Sequence, residues 1–350
     1  MGNKRYLIYF SYIGTMFKGV QRQINRNLEA NVDPSTVQGL LEFALCRLRP
    51  KNDVVLYLSS RTDQGVHALK TAAAVDLEFN HDIQPLYIHN YLNGFFDEAD
   101  LDIRVLDVLQ VSKDFNPRRL PLWRKYIYRF ATIKPDSGIP QHLIQKKLLP
   151  IPITENHRCY FVPSSLLDLD ALHKASELFI GTKDFVSFMG RGVAVPEDFV
   201  TIRRINRLYV EPAQPFVPSP LNDYYNYWHC VCEGKSFLYK QIRKTVGVLL
   251  AVAQHKLSMS TVQKMIEDPS PLSYPKSLSV APSHGLYLAD VFYDPKDLEI
   301  PADEMEQKEP KQEESDGIDE NMDPLERNKL LIKKRLEKYK ENKKALTAEQ

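Results

Sequence analysis

The stretch DVVLYLSSRTDQGVHALKTAAAVDLEF, residues 53–79, decides the fold because it places two strand-like runs on either side of a short polar turn. The runs DVVLYLSS and AAAVDLEF are rich in Val, Leu and Ala, which favours buried strands. Between them lie the polar residues RTDQ, and the Gly65 that follows permits a sharp turn. The sequence therefore predicts two consecutive strands with a polar connection.

The elements on both sides extend this pattern into a β-α-β-β-α-β order. The run RYLIYFSYI near the N-terminus is typical of a strand. Residues 34–48 repeat apolar side chains at the spacing of a helix with one buried face, and Asp33 and Pro34 suit its N-cap and first turn. A helix around residues 86–93 and the strand-like DIRVLDVLQV complete the unit.

The second half repeats this order less clearly. KYIYRFATI begins it, residues 168–180 predict a helix, and TIRRINRLYV and YYNYWHCVCE predict paired strands. A long helix over residues 236–256 and the strand-like GLYLADVFY close it. Two such units predict an α+β fold: two split β-α-β subdomains of ferredoxin or RRM type that form one large, mainly antiparallel sheet. We expect its helices on one face and a cleft between the halves.

The subdomain boundaries follow from this order. The first subdomain is expected over residues 1–112, where it carries the polar turn, and the second over residues 113–300. Residues 134–163 are rich in Pro and Lys and fit neither period. We expect this segment, called the insertion below, on the rim of the cleft.

The net charge of +1 conceals an uneven distribution. Residues 303–326 hold 11 acidic and 2 basic side chains, and residues 327–344 hold 9 basic and 2 acidic ones. The tail, residues 301–350, is expected to be largely disordered, with a basic helix that is either solvated or in contact with RNA. The rest of the chain is modestly basic, which is compatible with an RNA partner without requiring one.

Composition and spacing argue against several other classes of protein. The four cysteines form no CxxC pair and have no histidines at zinc spacing, so neither a disulfide framework nor a structural metal is implied. No apolar run approaches the roughly 18 residues of a membrane span. No Arg-rich, acid-poor presequence precedes Tyr6, and the localisation stays open between cytoplasm, nucleus and mitochondrion.

Asp63 is the first candidate for chemistry, since it lies where a strand ends and Gly65 permits a turn that exposes the carboxylate. Aspartate is ionised at neutral pH and acts as nucleophile or base without prior activation. Two other interpretations stay open. Asp before Gln-Gly is an ordinary turn residue that bonds local N–H groups, and Asp63 with His67 has the donor types of a metal site.

Arg243 is the second candidate. On the predicted helix it shares a face with Tyr239, Val246 and Leu250, so its guanidinium requires a partner, which is usually a carboxylate. The alternative is that the side chain extends to the surface with its lysine neighbours.

The strand WRKYIYRF supplies the third group of candidates. Tyr126 and Tyr128 share one face, and Arg124 stands beside them. Aromatic rings near basic residues can stack an exposed base, although such tyrosines more often pack in a core or rim.

These motifs together resemble a known family. SSRTDQGVHA resembles the GRTDAGVHA signature of the TruA family of tRNA pseudouridine synthases. The next matches follow in the family's order. YIGTMFKGVQRQ resembles YDGTxFxGWQxQ. DFNPR followed by RKYIY resembles FHAR followed by RxYxY, and GTKDFVSF resembles GxHDFxxF. SFLYKQIRKTVG and APSHGLYL resemble FLxxxVRxxVG and APxxGLxL. The resemblance covers most of residues 6–293.

The resemblance implies an isomerase that converts uridine to pseudouridine in the anticodon arm of tRNA, without a cofactor or a metal. It implies that Asp63 is the catalytic carboxylate, that Arg243 pairs with it, and that Tyr126 stacks on the target uracil. The candidate RNA contacts are Arg61, Arg118, Tyr128 and Arg124. The implied partners are tRNA and, from bacterial members, a second copy of the chain, with no membrane.

The sequence departs from the family pattern beside the acting residues. Ser60 replaces the usual Gly, Gln64 the usual Ala and Val20 the usual Trp, while Leu120 and Pro121 replace small residues. These departures bear on the RNA site that is recognised more than on the reaction. They leave open a second function, a catalytically idle RNA-binding or tRNA-chaperone protein on the same fold.

Overall fold

The computed structural model describes residues 3–23, 33–164, 167–192, 196 and 198–301. Met1–Ile300 form one compact unit, and the tail, Pro301–Gln350, is separate from it in the division of the chain. The tail from residue 302 onward, with its expected basic helix, lies outside the described residues. Within the described ranges, no helix is both long and apolar enough to cross a membrane.

The first half has the predicted β-α-β-β-α-β order. Its elements are β1 (Lys4–Tyr12), α1 (Val37–Cys46), β2 (Leu56–Leu58), β3 (His67–Leu77), α2 (Pro85–Glu98) and β4 (Ile103–Val111). β4, β1, β3 and β2 lie side by side in that order, and each pair is antiparallel. This is the strand order of a split β-α-β unit.

The second half repeats the unit with additions. Its elements are β5 (Trp123–Ile133), α3 (Gln141–Gln145), β6 (Tyr160–Val162), α4 (Leu169–Glu177), β7 (Gly181–Asp184), β8 (Ile202–Ala213), β9 (Tyr225–Gly234), α5 (Gln241–Ala253), α6 (Met259–Glu267) and β10 (Leu286–Phe292). β10, β5, β9 and β8 lie side by side as the counterparts of β4, β1, β3 and β2. β6, which lies in the insertion, pairs parallel to β5, and β7 pairs with β8 at the far edge.

One parallel pairing joins the two halves. β10 runs beside the start of β3, with Tyr287 opposite His67 and Leu288 opposite Ala68. The described strands form one ten-stranded, mainly antiparallel sheet, accompanied in the described residues by six α-helices. The predicted α+β fold with one large, mainly antiparallel sheet is confirmed.

The start of α1 differs from the sequence prediction. Thr36 is the N-cap, because its side-chain oxygen accepts a hydrogen bond from the backbone N–H of Gly39. The predicted cap, Asp33, instead accepts from the backbone N–H of Ser35 at 3.1 Å. The prediction was wrong because Asp33 closes the turn that precedes the helix.

The long helix predicted over residues 236–256 is shorter than expected. Lys240 has φ +56°, a left-handed conformation that an α-helix does not contain, so α5 begins at Gln241. The side chain of Gln241 accepts from the backbone N–H of Leu238 at 2.7 Å and fastens the preceding loop. Arg243 therefore lies in the first turn of α5, next to that loop.

The insertion is attached to the sheet by a buried ion pair. Arg129 of β5 and Glu155 of the insertion lie 3.0 Å apart, and their side chains are 3% and 0% exposed. The Glu155 carboxylate also accepts from the backbone N–H of Phe216 at 2.6 Å, and the Arg129 guanidinium lies 4.1 Å from the Phe216 ring. The pair thus joins β5, the insertion and the loop before β9.

We predict that Glu155→Gln lowers the free energy of unfolding by about 3–5 kcal/mol, because it leaves the Arg129 charge buried without its counter-charge. Urea unfolding followed by circular dichroism measures the change. The matched control is Asp97→Asn, which removes the partner of Arg104 in an ion pair whose carboxylate is 80% exposed. Equal midpoint shifts in the two variants would contradict the prediction.

Candidate active site

A cleft lies at the start of the two parallel strands that join the halves. The β3–β10 pairing brings together the loop that precedes β3, which carries Asp63, and the loop that precedes β10, which carries His284. Both side chains line a cleft of about 420 Å³, together with Arg243 of α5 and His157 of the insertion. The cleft therefore collects residues from distant parts of the chain.

The loop that carries Asp63 is held by its neighbours. The backbone N–H of Val66 donates to the Asp63 carbonyl at 3.2 Å and closes a turn. Gly65 in this turn has φ +74°, which confirms the glycine turn expected from the sequence. The hydroxyl of Thr62 lies 2.5 Å from that of Tyr12 on β1. These contacts fix the backbone and the flanking side chain, while the Asp63 carboxylate faces the cleft.

The Asp63 carboxylate pairs with Arg243. The Arg243 Nη1 and Asp63 Oδ2 atoms lie 3.0 Å apart, and the two side chains are only 14% and 22% exposed. The Nε–H of Arg243 donates to the Ala281 carbonyl at 2.8 Å, which orients the guanidinium. The expected carboxylate partner is thus present, and the alternative in which Arg243 extends into solvent is wrong.

Tyr126 lies close to this pair on β5. Its side chain is 7% exposed, and its ring meets that of Phe237 edge to face with centroids 5.3 Å apart. Burial raises the pKa of Tyr126 to about 12, with Arg124 opposing the rise and the Asp63 charge adding to it. The hydroxyl is therefore protonated at neutral pH. The ring is buried beside the carboxylate, and the described lining of the cleft does not include it.

The other two candidates on β5 are buried in the scaffold. Tyr128 is 0% exposed, and its hydroxyl donates to the Pro282 carbonyl at 2.9 Å. Arg124 is 7% exposed, and its guanidinium donates to backbone carbonyls and to one hydroxyl. Neither side chain presents an open surface on which RNA could lie in this structure.

Arg61 and Arg118 are both exposed and lie near one another. Partial burial lowers the pKa of Arg61, and the neighbouring charge of Arg118 lowers it further. Two neighbouring guanidinium groups that repel one another form a favourable place for a phosphate, although the described lining of the cleft includes neither of them. Their contact with RNA stays a prediction.

His67 forms hydrogen bonds with three loops next to the cleft. Its Nδ1 accepts from the backbone N–H of Gly14 at 2.9 Å, so Nε2 carries the proton. Nε2 lies 3.1 Å from the carbonyl oxygens of both His157 and His284. Burial lowers the pKa of His67 to about 4, so the ring is neutral. Both nitrogens are occupied, which leaves none for the metal site with Asp63 considered from the sequence.

Comparisons with known proteins place this chain among tRNA pseudouridine synthases. A family model described as tRNA pseudouridine synthase matches residues 175–294. A "tRNA pseudouridine synthase-like 1" of Homo sapiens is 35% identical over 294 residues, which cover 83% of this chain and 90% of that protein. A "tRNA pseudouridine synthase A" of Streptococcus agalactiae is 28% identical over 294 residues, 84% of this chain and 96% of that protein.

The chain belongs to the tRNA pseudouridine synthase family. Members of the family are isomerases, and the predicted enzyme class is confirmed. Several cleft residues of this synthase were not among the candidates from the sequence, and Lys240, His157 and His284 are the basic ones. His157 was missed because the insertion has no periodicity, and His284 because the motif APSHGLYL was used only for recognition.

We predict that the stability of this synthase falls as the pH decreases from about 6.5 towards 4, because His67 is neutral when folded and gains a proton when unfolded. Burial lowers the pKa of His229 to about 4 as well, so it adds to the same trend. His67→Gln is expected to reduce the slope of unfolding free energy against pH by about 1 kcal/mol per pH unit between pH 5 and 6.

Urea unfolding at several pH values measures this slope, and the same substitution at exposed His142 is the control. An unchanged slope in His67→Gln would show that His67 is protonated in the folded protein.

Proposed function

We propose that the protein isomerises uridine to pseudouridine in tRNA, with Asp63 as the acting carboxylate. The observation that carries the proposal is the ion pair between Asp63 and Arg243. Arg243 Nη1 lies 3.0 Å from Asp63 Oδ2 and holds this carboxylate in the cleft. The names of the relatives support tRNA as the substrate. The ordered motif set of the sequence supports a target in the anticodon arm.

The reaction breaks the N1–C1′ bond of a uridine, turns the detached uracil and joins its C5 atom to C1′. N1 gains a proton and C5 loses one, so the atoms balance without an oxidant, a reductant or an energy source. An ionised carboxylate serves such a reaction as nucleophile or base. Arg243 keeps the Asp63 carboxylate in one orientation, which reduces the reorganisation required when the substrate enters.

The target base must leave its stack to reach a cleft of this kind, which costs a few kcal/mol. Stacking against the ring of Tyr126 would recover roughly 1–3 kcal/mol of that cost. Arg61 and Arg118 would bind the flanking phosphates, and their contribution would weaken as salt is added. The ring of Tyr126 would thus hold the target base, and the charges of Arg61 and Arg118 would hold the RNA backbone.

We predict that Asp63→Asn reduces pseudouridine formation at least about a thousandfold, because the amide has the shape of the carboxylate without its charge. The affinity for tRNA should change less than about threefold, since phosphate contacts dominate binding. Pseudouridine mapping on tRNA treated with each protein, together with filter binding, measures both. Cytosolic and mitochondrial tRNA are mapped separately to locate the target.

The matched control for this variant is Asp76→Asn. Asp76 pairs with Arg5 at 2.7 Å, with side-chain exposures of 25% and 19%, but it lies at the other end of β3. The control should retain full activity. If Asp63→Asn restored every phenotype of a strain that lacks the protein, the catalytically idle RNA-binding function would be the correct one.

We further propose that the protein is a homodimer, on the support of its resemblance to bacterial members of the family. Light scattering at micromolar concentration is expected to give twice the monomer mass. A monomer mass over the whole concentration range would contradict this part of the proposal.

A further inference from the structure

Ser60 stands directly before Arg61 in the loop that carries Asp63, at a position where the family pattern has glycine. Its hydroxyl accepts from the Nε–H of Arg124 at 2.8 Å. Burial raises the pKa of Tyr126, and the neighbouring Ser60 acts in the opposite direction. The Ser60 hydroxyl thus binds a buried guanidinium close to the ring expected under the target base.

Arg124 is only 7% exposed, so its positive charge is buried. Its described hydrogen bonds nevertheless go to uncharged acceptors and not to a carboxylate. Its Nη2 donates to the carbonyls of Ser59 and Arg118, at 2.7 and 3.2 Å, and its Nη1 donates to the carbonyl of Lys235. These carbonyls belong to three loops: the Asp63 loop, the loop of Arg118, and the loop between β9 and α5.

The third of these loops also carries Phe237, whose ring packs on Tyr126. Arg124 therefore fixes the backbone of the Asp63 loop and of the loop that carries Phe237, and Ser60 orients the guanidinium by accepting from its Nε–H. A glycine or alanine at position 60 would leave the Nε–H of Arg124 without this acceptor.

We propose that Ser60 is a positioning residue, which with Arg124 holds the ring of Tyr126 and the Asp63 loop in the arrangement that the reaction requires. The inference rests on the proposed function, because it concerns the same site. Ser60 acts through Arg124 and need not touch the substrate. Its effect therefore falls on the chemical step and not on the binding of tRNA.

The test compares Ser60→Ala, Ser60→Thr and Arg124→Lys with the unchanged protein in single-turnover reactions at saturating tRNA. Ser60→Ala is expected to reduce the rate about tenfold, with tRNA affinity changed less than twofold and the melting temperature lowered by only a few degrees, since one buried N–H loses its acceptor. Ser60→Thr, which retains the hydroxyl, should stay within about threefold of the unchanged protein. Ser11→Ala is the control, because the Ser11 hydroxyl makes only a 3.5 Å contact on β1.

A double-mutant cycle separates positioning from general stability. In the Arg124→Lys background the Nε–H from which Ser60 accepts is absent, so Ser60→Ala should reduce the rate less than twofold. An equal reduction in both backgrounds, or a loss confined to tRNA affinity, would overturn the inference. If the unchanged protein forms no pseudouridine, the proposed function fails. If it is active and Ser60→Ala is equally active, only this inference fails.

Discussion

The parallel pairing of β10 with the start of β3 is the constraint on which the site depends. It is short, with two register positions, and it joins strands that lie more than 200 residues apart. Because parallel neighbours begin at the same edge of a sheet, the loops before both strands meet there. Asp63 and Arg243 are 180 positions apart in the chain, and this meeting allows their ion pair to form.

Buried polar groups hold these loops together. His67 fixes the loops of Gly14, His157 and His284 through a neutral ring. Arg124 fixes three further loops through backbone carbonyls. A polar group left unpaired in such a network costs free energy. The network therefore favours a single arrangement of the site. Buried groups that take no part in the reaction thus hold the Asp63 carboxylate and the Arg243 guanidinium in place.

Local patterns were sufficient for the element order and for part of the site. The β-α-β-β-α-β order follows from hydrophobic periods, and the need of Arg243 for a carboxylate follows from its position on an apolar helix face. The start of α5 was not predicted, because the left-handed conformation of Lys240 is imposed by the loop before it. The burial of Arg124 was not predicted either, since its acceptors are carbonyls from loops that meet only in the folded chain. Composition cannot indicate such partners.

The most direct test of the central claim is a crystal structure of the Asp63→Asn protein bound to a tRNA substrate. The account predicts that one uridine is turned out of its stack into the cleft, with its base against Tyr126 and its glycosidic bond beside the side chain of residue 63. A tRNA that lies across another face of the sheet, with no nucleotide in the cleft, would contradict it.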